Sequence, residues 1–197
     1  MSKKDTLYIF AGGKSSRFGG EPKILHTFEH NKDLLNKHFN VFIVTSKEIY
    51  KKIDHLDSDF IIQDMGNGSG NDVYNLINKI NHEAFVCWSD VFYSEEGIED
   101  IIKYSKNGRN CMTGTYRENP YISITTENGI MTQYKKSEKS GIQDNSLFFI
   151  KSLDVSDEEF MDMAIKNNFD LHITETKTEY FNTIKELEEL KLSKNLL

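Results

Sequence analysis

Three features of this 197-residue chain predict an α/β fold. Short apolar runs alternate with amphipathic stretches through the first half, the pattern of parallel strands joined by crossover helices. The first apolar run leads straight into a glycine-rich stretch, and the second half changes texture to closely spaced strand-like runs. With 38% hydrophobic and 12% aromatic residues, a chain of this size can bury about 70% of its unfolded surface. Residues 1–197 are therefore expected to form a single domain.

Taken in order, strands are expected at Leu7 to Ala11, Val41 to Thr45, Phe60 to Gln63 and Ala84 to Trp88. Helices are expected near Lys32 to Phe39, Glu48 to Leu56, Asp72 to Ile80 and Glu95 to Lys106, each with apolar residues three and four positions apart. Further strand-like runs follow at Cys111 to Tyr116, Ile122 to Thr126, Ile130 to Tyr134 and Leu147 to Ile150. Asn128-Gly129 predicts a tight hairpin, because both residues tolerate positive φ. This β excursion is expected to cover part of a pocket. Ser156 with Glu159 and Thr183 with Glu186 have capping-box spacing and mark the starts of two late helices.

Composition excludes several classes of function. A net charge of -7 and a pI near 5.4 leave no general footprint for nucleic acid or an anionic membrane surface. No apolar run approaches the roughly 18 residues of a membrane span. Cys87 and Cys111 each sit in an apolar, strand-like run and are expected to be buried thiols. A reducing cytoplasm is the expected compartment.

The densest chemical signal is Ala11 to Lys23, AGGKSSRFGGEPK, directly after the first strand. Ala11, Gly12, Gly13 and Lys14 form a loop whose glycines let backbone approach a phosphate and whose N–H groups can make an anion nest. Arg17 and Lys23 add positive charge at the end of the sheet where open α/β folds bind ligands. A Walker A loop would need glycine where Tyr8 stands, and no G-x-G-x-x-G is present. The bland alternative is a glycine-rich turn carrying solvated cations.

AGGKSSRFGGEPKIL resembles the signature of the sugar-phosphate and phosphocholine-type nucleotidyltransferases, in its cytidylyltransferase branch. That resemblance implies a Rossmann-like mixed sheet flanked by helices, similar to the glycosyltransferase A fold. It also implies transfer of CMP from CTP to a small phosphorylated acceptor, with Mg²⁺ as cofactor and release of pyrophosphate. Phosphoglutamine, phosphocholine or a sugar phosphate would serve as acceptor, the first in capsule synthesis. The loop and Arg17 would hold the triphosphate, and Lys23 would stabilise charge at the α-phosphate.

Further resemblances extend the assignment. GNGSGND is similar to the family loop that contacts base and ribose, through Gly66, Gly68, Ser69, Gly70, Asn71 and Asp72. Capping of a helix by Asn71 or Asp72 is the competing explanation. FVCWSDVF ends a strand in Ser89-Asp90, where the resemblance makes Ser89 a nucleotide contact and Asp90 a metal ligand. YFNTIKEL is similar to a family segment that bears a second metal-binding aspartate, and Asn182 occupies that place. Tyr116, Arg117, Tyr121 and Lys135, with Lys136, are expected to receive the acceptor, since arginine offers a bidentate fork to phosphate. A homodimer is compatible with this reading, and neither nucleic acid nor membrane is an expected partner. Two other classes remain open, a nucleotide-sugar-dependent glycosyltransferase, for which no Asp-x-Asp motif follows Asp90, and a non-catalytic nucleotide-binding protein.

Overall fold

A computed structural model describes residues 4–12, 18–176, 178–181 and 183–194. Four parallel strands form one half of the main sheet: β1 (Asp5–Phe10), β2 (Phe39–Thr45), β3 (Asp59–Ile62) and β4 (Ala84–Trp88). They are connected by α1 (Ile24–His38), α2 (Lys47–Ile53) and α3 (Ser69–Ile80). A short strand β5 (Val91–Phe92) and helix α4 (Glu95–Ser105) lead into β6 (Cys111–Glu118), β7 (Ile122–Glu127), β8 (Ile130–Lys136) and β9 (Ser140–Ile150). The chain ends in α5 (Phe160–Lys166), β10 (Asp170–Ile173), β11 (Glu179–Tyr180) and α6 (Ile184–Lys194).

The nine-stranded sheet runs β3-β2-β1-β4-β9-β6-β10-β8-β7. β9 is antiparallel to both β4 and β6, so the sheet is mixed. Ile124 of β7 also pairs with Ile142 of β9. The β excursion therefore extends the sheet and also curls back to meet β9. Asn128 and Gly129 turn the β7–β8 hairpin with φ of 53° and 81°, as expected of that pair.

β1, β4 and the last residues of β9 are buried on both faces, which is why they read as continuous apolar runs. Tyr8, Phe10, Val86 and Phe148 face a core shared with α3 and α5. Leu7, Ile9, Phe85, Cys87 and Phe149 alternate to the core beneath α1, α2 and α4. A third small cluster of Phe18, Phe92, Phe181 and Leu187 fastens α6 beside the start of α1. Burial pushes the Cys87 and Cys111 thiols up to about 12, so both are inert core residues, as expected.

Four expectations need correction. α1 begins at Ile24, eight residues before the expected start at Lys32, because Thr27 and Asn31 interrupt its apolar stripe yet lie buried. β9 begins at Ser140 rather than Leu147, carrying buried Gln143, Asp144, Asn145 and Ser146 through the middle of the sheet. β10 lay outside the expected elements because its four residues include Asp170 and His172. The box at Ser156 is not made: α5 is capped across space, with Phe160 N donating to Ser69 Oγ at 3.1 Å. The box at Thr183 does form, with Thr183 N donating to Glu186 Oε2 at 3.0 Å and Glu186 N to Thr183 Oγ at 3.2 Å.

Candidate active site

Two strand ends create the site. Ala11, just past β1, is held on both sides: its N–H donates to Val44 O at 2.8 Å, and its carbonyl accepts from Thr45 Oγ at 2.9 Å. Ser89, just past β4, donates from its N–H to Phe10 O at 3.2 Å. Ala11 and the Ser89-Asp90 turn therefore leave the sheet side by side.

A polar stripe on α1 fixes that turn. Lys23, Thr27 and Asn31 are four residues apart, so one helix face presents all three. Lys23 Nζ lies 2.8 Å from Asp90 Oδ2 and 3.1 Å from Phe181 O. Thr27 Oγ donates to Ser89 O at 2.7 Å, and Asn31 Nδ2 donates to Val91 O at 2.7 Å. Asn31 Oδ1 then accepts from Tyr93 N at 3.1 Å. Each group is half-buried or buried, and each is paired, which removes the penalty of desolvating it. The stripe thus spends helix stability that apolar residues would have given on the exact placement of residues 89–93.

Beyond Asp90 opens a cleft of about 250 Å³. Trp88, Tyr121, Tyr134, Phe160 and Tyr180 supply aromatic walls, while Ser69, Lys136, Gln143, Asp144, Ser146 and Glu159 supply polar groups. Gln143 Oε1 accepts from Tyr121 N at 2.7 Å and from Tyr180 Oη at 2.9 Å, which fixes its amide. Asp144 Oδ1 accepts from Ser146 N at 2.8 Å and Ser146 Oγ at 3.2 Å. Burial pushes the Asp144 carboxyl up to about 6, against the pull of the Ser146 hydrogen bonds and the Arg117 charge.

The GNGSGND loop does structural work. A Cβ on Gly68 would meet Glu158 O at 2.2 Å, and one on Gly70 would meet Asp157 O at 2.4 Å. The close approach that these glycines allow is to the backbone leading into α5. Asp72 is buried, accepts from Gly66 N at 3.2 Å, and burial raises its carboxyl above the ordinary range. Asn71 Nδ2 donates to Asn67 O at 2.8 Å. Ser69 alone of this group also lines the cleft. A Cβ on Gly12 would lie 2.2 Å from Met65 Cε, so that glycine accommodates Met65.

Among the expected acceptor residues, Tyr121 lines the cleft and Tyr116, Arg117 and Lys135 do not. Strand alternation explains Lys135: Tyr134 and Lys136 of β8 face the cleft, and Lys135 points the other way. The Arg117 guanidinium donates to Thr178 O and lies 5.6 Å from the Tyr180 ring centre, bracing β11. Gly13, Lys14, Arg17 and Asn182 lie outside the described residues. Sequence reasoning missed Trp88, Gln143, Asp144, Ser146, Glu159 and Tyr180. The one sequence signal, for Gln143, Asp144 and Ser146, is that QDNS runs without glycine or proline into the apolar LFFI of β9.

A mixed sheet flanked by helices is a fold shared with solved nucleotidyltransferases. The chain is similar to CTP:phosphocholine cytidylyltransferase (LicC) of Streptococcus pneumoniae, with a TM-score of 0.73 and 13% identity over 95% of this chain and 98% of that one. It is also similar to HddC of Yersinia pseudotuberculosis, solved in complex with GMP-PN, with a TM-score of 0.70 and 15% identity over 94% and 97%. In sequence, 94 residues are 40% identical to a Thermococcus sibiricus protein named "Probable molybdenum cofactor guanylyltransferase". That match takes in 42% of this chain and 46% of the relative, under half the length of each. No protein-family model matches the chain. The fold that the resemblance implies is borne out by these solved structures, and its nucleotidyltransferase character is supported over the 94 matched residues, whose relative is named a guanylyltransferase and not a cytidylyltransferase. No helix among the described residues is long and apolar enough to cross a membrane.

Proposed function

We propose that this protein is a nucleotidyltransferase that moves CMP from CTP to a small phosphorylated acceptor, phosphoglutamine, phosphocholine or a sugar phosphate, and releases pyrophosphate. The observation that carries the reading is the Lys23–Asp90 pair, 2.8 Å apart, with Asp90 on the lining of the cleft. Each partner neutralises the other until a nucleotide arrives. The α-phosphate then takes Lys23, whose ammonium stabilises the charge that builds up during in-line attack by the acceptor phosphate. No strong base is needed, because the attacking group is already an anion.

The donor set fits a metal ion that travels with the nucleotide. Among the described residues no group of three His, Cys, Asp or Glu side chains could hold a metal unaided. Mg²⁺ commonly binds through one or two carboxylates together with substrate phosphates and waters. Asp90 would hold it, with 29% of its side chain exposed at the cleft mouth. When bound, the ion neutralises phosphate charge. Gly12, Gly13, Lys14 and Arg17 toward the triphosphate, the GNGSGND loop and Ser89 toward the nucleoside, and Asn182 beside the metal are assignments supported by the sequence resemblance. The same reading carries a cytoplasmic enzyme that works alone or as a homodimer.

A second reading, transfer of GMP from GTP, is favoured by the 40% identical segment. Calorimetric titration with CTP, UTP, ATP and GTP separates the two, because a pocket built for one base edge leaves polar groups unpaired with another. CTP is expected to bind most tightly, and tighter binding of GTP would replace the first reading with the second.

A further inference from the structure

A lysine ammonium carries three donors on a flexible four-carbon stem, so it acts as a preorganised charge only where its partners fix the direction of its N–H groups. Among the described residues Lys23 Nζ has two partners, Asp90 Oδ2 at 2.8 Å and Phe181 O at 3.1 Å. Two fixed bonds set the rotation of the ammonium and thereby aim its third N–H. Phe181 is tied to this pair by more than its carbonyl. Its N–H donates to Asp90 O at 3.4 Å, and the ammonium stands 5.8 Å from its ring centre. The ring is fully buried, with its centre 5.4 Å from that of Phe18 and 5.9 Å from that of Phe92. Phe18 precedes Lys23 and Phe92 follows Asp90, so one side chain rests on both segments that supply the pair. The neighbouring chain has few other holds: β11 is two residues long, in a two-stranded sheet with β5, and α6 reaches the same cluster through Leu187.

We propose that Phe181 is the positioning residue of Lys23: its buried ring anchors the chain after β11, and its carbonyl holds the ammonium so that an N–H is directed at the α-phosphate of the nucleotide. This deepens the transferase reading and rests on it. The two partners of Lys23 differ in what they do to its charge. The Asp90 carboxylate neutralises the ammonium, and in that reading it is also the group given to the metal. The Phe181 carbonyl is neutral, so it orients the ammonium and leaves the positive charge for the phosphate. The ring lies within the roughly 6 Å over which an aromatic face attracts a cation, and it holds the same charge without consuming a donor. Without the ring, residue 181 keeps only the long bond from its N–H to Asp90 O, and the carbonyl loses its fixed place beside Lys23.

The test is a double-mutant cycle in pyrophosphate release by the full chain. It uses Mg²⁺, saturating CTP, or GTP if that binds more tightly, and whichever of phosphoglutamine, phosphocholine and glucose 1-phosphate the wild type uses fastest. Phe181→Ala is expected to lower kcat by about 10- to 100-fold, the effect of a misplaced charge-stabilising group. In the Lys23→Ala background the same change should cost no more than about twofold, because a residue that acts through Lys23 has nothing left to position. Affinity for a non-hydrolysable analogue of the same nucleotide is followed by the fluorescence of Trp88, the single tryptophan, which lines the cleft. It should change by less than about threefold, which also shows that the variant is folded. If Phe181→Ala does not fold, Phe181→Leu is read in the same cycle against the same outcomes. An unchanged kcat, a further loss of about tenfold in the Lys23→Ala background, or analogue affinity falling in step with kcat makes Phe181 a packing residue only. Each of these overturns the proposal and leaves the transferase reading standing. A wild type that releases no pyrophosphate from any of the four nucleotides with any acceptor removes the transferase reading itself, and this assignment with it.

Discussion

Replacing Asp144 by asparagine should make the ligand-free protein more stable, and only above a definite pH. The carboxyl is buried in the polar half of β9 and is pushed from the ordinary 3.8 up to about 6. A group whose folded value is raised binds more protons in the native state than in the unfolded chain between those two values. Stability therefore falls as pH rises from about 4 to about 6, and the loss is complete above that. A little over two powers of ten in acidity, at 1.36 kcal/mol each, sets the cost at about 3 kcal/mol. Asparagine keeps an oxygen for the bonds from Ser146 N and Oγ and carries no charge. The variant should match the wild type near pH 4 and exceed it by up to about 3 kcal/mol at pH 8. For a chain of this size that is about 6–12 °C in Tm. Urea unfolding of both proteins at pH 4.5, 6 and 8 measures the gap directly. A gap that stays constant with pH, or a variant weaker at pH 8, refutes the reasoning.

Other perturbations test the supports of the site. Asn31→Ala leaves Val91 O and Tyr93 N without their partner, so stability should fall by about 2–4 kcal/mol in chemical denaturation, from two unpaired groups. Gly70→Ala drives a methyl to 2.4 Å from Asp157 O and should cost about 1–3 kcal/mol by overpacking, read as a lower Tm. Asp90→Asn should nearly abolish turnover at every Mg²⁺ concentration, whereas Asn182→Asp should lower the Mg²⁺ needed for half-maximal rate. A wild-type Mg²⁺ curve for Asp90→Asn would make Asp90 a turn residue only.

The legible part of the fold was the part buried on both faces. β1 and β4 read clearly because every position of each expected run is apolar, β2 because only Thr45 is not, and α3 and α4 because apolar residues recur at helical spacing. α1 hid its first two turns for the opposite reason. Thr27 and Asn31 look like solvent-facing residues in sequence, and only the carbonyls of Ser89 and Val91 explain their burial. β9 hid its polar half in the same way, since Gln143 to Ser146 read as a loop until Tyr121, Tyr180 and Thr113 supply partners. Lys23 and Asp90, which the structure pairs, each stood in a motif that the sequence displays. The cleft was not, because its walls come from β7, β8, β9, β11 and the approach to α5, which only the curled-back sheet brings together. Gly68 and Gly70 of GNGSGND also fit the backbone of residues 157–159, a packing role that the sequence does not display.

The central claim is nucleotidyl transfer through the Lys23–Asp90 pair. It is tested most directly by pyrophosphate release from CTP and Mg²⁺ with a phosphorylated acceptor, for wild type and Lys23→Ala at matched folding stability. Transfer is expected in the wild type, with a loss of about 10²- to 10³-fold in kcat for the variant, as for other preorganised charge-stabilising groups. Release of pyrophosphate at the wild-type rate by Lys23→Ala, or no acceptor-dependent release from any nucleoside triphosphate by the wild type, would contradict it.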